Sequence, residues 1–323
     1  MVRYYVCMRH AIGIDLGGSH VSAGVVAEDG EIVDHHQQDI TDHAFEAVLA
    51  AVEAVVRPAL KSAKDVAGIG LGSPGNIDRK SGEVHYSPNF DWHDVPLGAR
   101  LGKMLDRPVF VANDARCATL GEYSFGTGRG TKDFVLLTLG TGIGGGIVSG
   151  GALLRGNKMG AGEIGHHQIR PTDGFICGCG KIGCFEAQAS GTGLIRHAAA
   201  VASSFPRSSL LRKDPDKLGS KAIRKAAETG DQHALAAWKN YTADLAIGLA
   251  NIIAFVNPEV IALGGGVSSA GKFMLEAVGA RVDALTTMVP KNTTKIAIAK
   301  LGNDAGLVGA AAMAFRGGLK TGN

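Results

Sequence analysis

Short apolar runs broken by glycine turns alternate along this chain with longer stretches of helical spacing. Residues 11–16 read as a strand, and the Gly17-Gly18 turn leads into a second over 21–26. A third follows the Asp29-Gly30 turn at Ile32-Val33. Residues 44–64 carry apolar positions at helical spacing, with Pro58 expected to kink or shorten the helix. Residues 68–71 predict a buried strand ending in the Gly72-Ser73-Pro74-Gly75 turn. A helix over 97–105, a strand over 109–112 and a helix over 115–125 come next. Asp114 falls at the N-terminus of that last helix, where a carboxylate is favoured. Residues 134–139 and 144–149 predict strands flanking a glycine turn. Residues 203–220, with Pro206, Pro215 and many polar side chains, predict a mobile loop. A long helix over 231–256 ends at Asn257-Pro258, and a strand (260–263), a helix (271–285), a strand (296–299) and an Ala-rich helix (307–315) complete the chain. Strands and helices alternate, so the class is α/β.

Asp15-Leu-Gly-Gly-Ser19 with its following apolar strand is echoed by Leu139-Gly-Thr-Gly142 with another, which hints at a duplicated fold with a cleft between the copies. A length of 323 residues also favours two lobes over one core. Hydrophobic residues at 45% and charged residues at 20% give the balance of a globular protein. A net charge of +3 offers no field for nucleic acid or an acidic membrane. The longest apolar stretch, 245–256, is too short to span a bilayer, and the first ten residues lack a secretion signal, so a cytoplasmic protein is expected. The 47 glycines cluster in short runs, as where backbone approaches a ligand closely.

Three cysteines, Cys177, Cys179 and Cys184, lie within eight residues. In a reducing compartment such a cluster reads as metal ligands before disulfides. A histidine just upstream, His166 or His167, would complete a closed tetrahedral zinc site that holds structure and does not activate water. Cys7 and Cys117 read as plain thiols. A nucleic-acid zinc ribbon would show a second ligand pair and basic surroundings, and neither is present.

Gly140-Thr141-Gly142-Ile143-Gly144-Gly145 matches a dinucleotide fingerprint in form, but it continues as a strand where that fingerprint needs a helix. A β-hairpin whose amides face a phosphate suits these residues better. The segment from Gly266 to Lys272-Phe273 is one residue short of a P-loop, and Phe273 cannot replace the Mg²⁺-binding hydroxyl. Gly264, Gly265 and Gly266 could still let a purine lie against the backbone. Asp15, beside the Gly17-Gly18 turn, could orient Mg²⁺ or its waters, or could cap the turn. Asp114, after Asn113, could take the proton of an attacking sugar hydroxyl, or serve as an ordinary helix N-cap. Glu163, His166 and Glu186 bracket the cysteine loop, a rigid setting for recognising a polyol.

Together these motifs resemble the ROK family, bacterial sugar kinases and sugar-responsive repressors with the actin-like ATPase fold. The resemblance covers nearly the whole chain after His10. Asp15-Leu-Gly-Gly-Ser19 and Leu139 to Ile147 are similar to the two phosphate motifs, and Leu263-Gly-Gly-Gly-Val267 to the adenosine motif. Ser73-Pro-Gly and Ser87-Pro-Asn89 are similar to sugar-loop segments, and Asn113-Asp114-Ala115 to the catalytic pair. Gly162-Glu163-Ile-Gly-His166, followed by Cys177 to Glu186, is similar to the family signature. Ser19 stands where Thr is commoner, and His20 where Asn or Lys is.

The resemblance implies a two-lobed actin-like (ribonuclease H-like) fold with ATP and sugar in the cleft. Residues 1–125, rejoined by 305–323, would form the small lobe, and 126–304 the large lobe with the zinc loop. Asp114 would be the general base for the sugar 6-hydroxyl, with Asn89, Asn113, Glu163, His166 and Glu186 holding hydroxyls. Asp15, Gly17, Gly18, Ser19, Gly140, Thr141, Gly142 and Gly264 to Gly266 would bind ATP with Mg²⁺. His166, Cys177, Cys179 and Cys184 would hold structural zinc. The expected reaction is phosphorylation of glucose by a homodimer without nucleic-acid or membrane partners. Another hexose (fructose, mannose, allose, N-acetylglucosamine, N-acetylmannosamine), polyphosphate as donor, and a non-catalytic sugar sensor are the alternatives. With a first strand near residue 11, the chain leaves no room for the repressors' N-terminal DNA-binding domain.

Overall fold

The structure, a computed structural model, describes residues 8–78, 80–157, 160–212 and 218–318. Cys7 and residues 213–217 of the expected mobile loop lie outside the described residues. The chain forms two compact units. The first comprises Met1–Gly130, Ala152–Ala161 and Leu301–Asn323, the second Thr131–Gly151 and Gly162–Lys300.

The first unit opens with an antiparallel meander, β1 (His10–Leu16), β2 (His20–Ala27) and β3 (Ile32–Asp39). Helix α1 (Phe45–Ser62) and β4 (Val66–Ser73) follow. A small three-stranded sheet comes next, β5 (Asn76–Ile77), β6 (Val84–Ser87) and β7 (Trp92–Val95). Helix α2 (Leu97–Leu105), β8 (Val109–Asn113) and α3 (Asp114–Phe125) end this stretch. The main sheet has the order β3-β2-β1-β4-β8, with β1, β4 and β8 parallel. Asp15 pairs with Gly72, and Gly72 with Ala112, so Asp15 and the β8–α3 junction share the carboxyl edge of the sheet.

Pro58 lies inside α1, which runs four residues past it. Its missing N–H frees the carbonyl of Ala54, and both residues lie on the exposed side of the helix, where the break costs least. Asn113, not Asp114, is the N-cap of α3, its Oδ1 accepting from the Arg116 amide at 3.3 Å. Asp114 is the first helical residue, and its Oδ1 accepts from the Ala115 amide at 2.8 Å.

The second unit contains β9 (Phe134–Leu139) and β10 (Ile143–Ser149), after which β11 (Ala152–Leu153) follows in the chain. Then come α4 (Phe185–Ala189), α5 (Gly191–Val201), α6 (Ser220–Glu228), α7 (Gln232–Val256), β12 (Val260–Gly264), α8 (Lys272–Leu285) and β13 (Lys295–Ile298). Strands order as β10-β9-β12-β13, with an antiparallel β9–β10 hairpin and parallel β9, β12 and β13. That repeats the β2-β1-β4-β8 arrangement of the first unit, so the short motif echo marks a repeated topology. Helix α7 forms the spine of this unit's core through Trp238, Tyr241, Leu245, Leu249 and Ile253. It is capped by Asp231, which accepts from the Ala234 amide at 2.9 Å, and ended by Asn257 at φ +45°.

The final helix, α9 (Ala305–Phe315), returns to the first unit and packs on its sheet and on α3. The approach is backbone to backbone. A Cβ at Gly13 or Gly70 would overlap the α9 carbonyls of Leu307 and Ala310, and one at Gly309 would overlap the Cys117 carbonyl of α3. Among the described residues, no helix is long and apolar enough to cross a membrane.

Candidate functional site

In the first unit the predicted residues gather around the β1–β2 turn and the β8–α3 junction. Gly17, Gly18 and Ser19 form the turn, closed by the Gly17 amide donating to the His20 carbonyl at 3.0 Å. The Ser19 hydroxyl lies 3.2 Å from His20 Nδ1. Asp15 is pushed up to about 6, first by burial and then by the nearby charge of Asp114, with His20 opposing. Two carboxylates close enough to repel each other therefore stand at the carboxyl edge of the parallel strands, where open α/β sheets bind ligands. Gly72 lets the start of α3 approach the sheet: a Cβ there would stand 3.4 Å from Asp114 Cα and 3.3 Å from Cys117 Sγ. Asn113 Nδ2 donates to the Gly75 carbonyl at 3.2 Å, which ties the junction to the turn after β4. Asn89 reaches the β1–β2 turn, since a Cβ on Gly18 would stand 3.5 Å from its Nδ2.

Sequence reasoning missed His43. Its Nε2 donates to the Gly18 carbonyl at 2.8 Å, its ring meets Phe90 edge-on, and its carbonyl accepts the Trp92 indole N–H at 3.0 Å. A histidine just before a helix carries no pattern that would reveal this contact.

In the second unit, the Gly140-Thr141-Gly142 turn joins β9 to β10, with the Gly140 amide donating to the Gly142 carbonyl at 3.0 Å. The start of α5 holds the turn from behind. The Gly191 amide donates to the Gly140 carbonyl at 2.7 Å, and the Thr192 hydroxyl to the Thr141 carbonyl at 2.8 Å. These holders were also missed, although Ser190 as the α5 N-cap was a legible signal. Glu186 Oε2 accepts from the Ile143 amide at 3.0 Å. Gly265, at φ +82°, backs against Leu139, where a Cβ would lie 2.7 Å from main-chain atoms. A Cβ on Gly266, by contrast, would meet nothing within 4 Å. The Lys272 side chain is 88% exposed and pairs with Glu276.

The Cys₃His set comes together. Ligand atoms of His166, Cys177, Cys179 and Cys184 all lie within 4.8 Å of one another. Cys179 and Cys184 sulfurs are 3.6 Å apart, and Cys177 Sγ is 3.7 Å from His166 Nδ1. Tetrahedral zinc with ~2.3 Å bonds to sulfur requires sulfur separations of about 3.8 Å, so the spacing fits. The donor set fits too. Burial and neighbouring thiols push Cys184 up to about 12 and raise Cys177, while the Lys181 amide and ammonium lower Cys179. Raised as they are, the Cys177 and Cys184 thiols ionise readily only with a cation beside them. His166, not His167, belongs to the set: His167 Nδ1 donates to the Ile164 carbonyl at 2.6 Å, and burial lowers its pKa. With Nδ1 of His166 toward the cysteines, its Nε2 remains as a donor. Glu163 is exposed and precedes the short 3-10 turn Ile164–His166. Gly165 of that turn presses on β10, where a Cβ would overlap the Ile143 carbonyl.

A profile described as the ROK family matches residues 11–316. A glucokinase of Streptomyces coelicolor is 37% identical over 311 residues, 94% of this chain and 96% of the relative. A putative xylose repressor of Caldicellulosiruptor is 30% identical over 94% of this chain and 77% of the repressor. Among solved structures, a ROK family glucokinase from Streptomyces griseus in complex with glucose and AMPPNP superposes with a TM-score of 0.80 at 37% identity, covering 94% of this chain and 98% of that one.

Proposed function

The chain belongs to the ROK family and is a sugar kinase, and from that premise we propose that it transfers the terminal phosphoryl group of ATP to the 6-hydroxyl of a hexose, glucose first. The observation that carries this reading is the placement of Asp114 at the start of α3, beside Asp15, with Oδ1 of its carboxylate accepting from the Ala115 amide at 2.8 Å.

Asp114 takes the proton of the 6-hydroxyl as that oxygen bonds to the terminal phosphorus. The bond from phosphorus to the bridging oxygen breaks, and ADP leaves. Catalysis is then mainly positioning and charge neutralisation. Asp15 holds Mg²⁺ or its waters. The turns at Gly17, Gly18 and Ser19, and at Gly140, Thr141 and Gly142, offer amides and a hydroxyl to the phosphates. Gly264, Gly265 and Gly266 give the purine room. Asn89, Asn113, Glu163, Glu186 and His166 Nε2 bind sugar hydroxyls. His166, Cys177, Cys179 and Cys184 hold zinc, whose part is to stiffen the sugar loop. The glucose complex of the S. griseus enzyme supports glucose as the first acceptor to test. The same reading includes a cytoplasmic homodimer, which light scattering checks for mass.

An ADP-release assay over a hexose panel, with ATP and with polyphosphate, tests the proposal. Turnover of glucose with ATP supports it, and a folded, zinc-loaded protein that turns over no hexose would sink it. The similarity to a xylose repressor favours one rival, a sugar sensor. A sugar-dependent gel shift on genomic fragments without turnover would select that rival.

A further inference from the structure

One ion pair with a fully buried carboxylate ties the cysteine loop of the second unit to its helical core, and the proposed chemistry leaves it unused. Asp244 sits midway along α7 with its side chain fully buried. Its Oδ1 accepts from Arg170 Nε at 2.6 Å. Its Oδ2 lies 3.3 Å from His197 Nε2, but that nitrogen donates to the Gln188 carbonyl at 3.1 Å, and Oδ2 makes no hydrogen bond among the described residues. A buried carboxylate with one hydrogen-bonded cation depends on that cation, and holds it in place in return.

The backbone around Arg170 reaches the metal ligands. The amides of Ile169 and Arg170 donate to the Gly183 carbonyl at 2.8 and 3.1 Å, and the Phe185 amide donates to the His167 carbonyl at 2.8 Å. These bonds lace residues 167–170, directly after His166, to residues 183–185, which include Cys184. The contact is close: Gly183 has φ +73°, and a Cβ there would overlap the Arg170 carbonyl. Where Arg170 sits therefore sets the spacing of two of the four ligands.

We propose that Asp244 is a positioning residue for the Cys₃His centre: through Arg170 it fixes the pairing of His166 with Cys184 from a helix that supplies no ligand. This rests on the reading of that centre as a zinc site. Ligand-orienting partners of this kind are worth ~10–100-fold in metal affinity.

The test is zinc transfer from the intact protein to a chromophoric chelator, for wild type, Asp244→Asn, Arg170→Met and the double variant. Each single variant is expected to release zinc at least about tenfold faster, with the double variant no faster than either. KM for the sugar should rise while kcat holds, and Arg170→Lys should recover part of the retention. Folded variants that release zinc at the wild-type rate, or losses that add in the double variant, would overturn the inference. Wild-type protein purified without zinc would overturn the zinc reading and this inference with it, an outcome distinct from the first two. Should Asp244→Asn not fold, Arg170→Met, at a partly exposed side chain, carries the test.

Discussion

Glu186 and Ile143 are joined by a 3.0 Å hydrogen bond from the Ile143 amide to the Glu186 carboxylate, whose other oxygen lies 3.6 Å from Cys177 Sγ. One side chain thus links the β9–β10 turn to the cysteine loop. Gly142 leaves it the space, since a Cβ there would overlap the Glu186 carboxylate. Gly142→Ala should displace that carboxylate and lower kcat/KM by about 100-fold, as a 1 Å misplacement can, with the melting temperature little changed. Steady-state kinetics beside a thermal melt check this.

Asp15 predicts an unusual pH dependence of stability. Its pKa is raised from 3.8 to about 6, chiefly by burial. Its contribution to folding is complete below 3.8 and is lost as pH rises to about 6, because the unfolded carboxyl ionises first. Asp15→Asn should therefore be the more stable protein at pH 7–8, by ~3 kcal/mol at most, with the difference vanishing toward pH 4. It should also lose most activity, as groups kept ionised at functional sites often cost stability. Melting curves of both proteins from pH 4 to 8 read the sign.

Removing the metal should unfold the loop that carries His166 and the three cysteines. Strong chelation is expected to lower the melting temperature and abolish turnover, and added zinc to restore both. Metal analysis of fresh, active protein should find one zinc per chain.

Helix α9 packs so closely that Gly309 tolerates nothing larger. A Cβ there would overlap the Cys117 carbonyl, and Gly121 faces α9 in the same way. Gly309→Val should cost ~3 kcal/mol or more, since backbone must move apart to admit it. Chemical denaturation checks the magnitude.

Much of the first unit was legible because its signals are local. Helix α2 falls on the expected residues, and the buried run of β1 reads as a strand because helices cover both faces of its sheet. The second unit was less so. Helix α5 begins Gly191-Thr192-Gly193, which reads as a turn until the Ser190 cap is recognised. Helix α6 is only nine residues long, and its buried apolar positions are Ile223 and Ala227, too few to mark a helix by spacing. In the site, the cysteine cluster and glycine turns were readable because their chemistry is crowded into a few residues. His43, Thr192 and Asp244 were not, because their partners lie 25 to 74 residues away and are carbonyls or a single distant side chain.

In the proposed reaction Asp114 takes the proton from the sugar. Pre-steady-state and steady-state kinetics of Asp114→Asn, with glucose and ATP, test it most directly. The expected result is a fall in kcat of ~10²–10⁴ with sugar binding nearly intact and the fold unchanged. A variant that turns over glucose at the wild-type rate would contradict it.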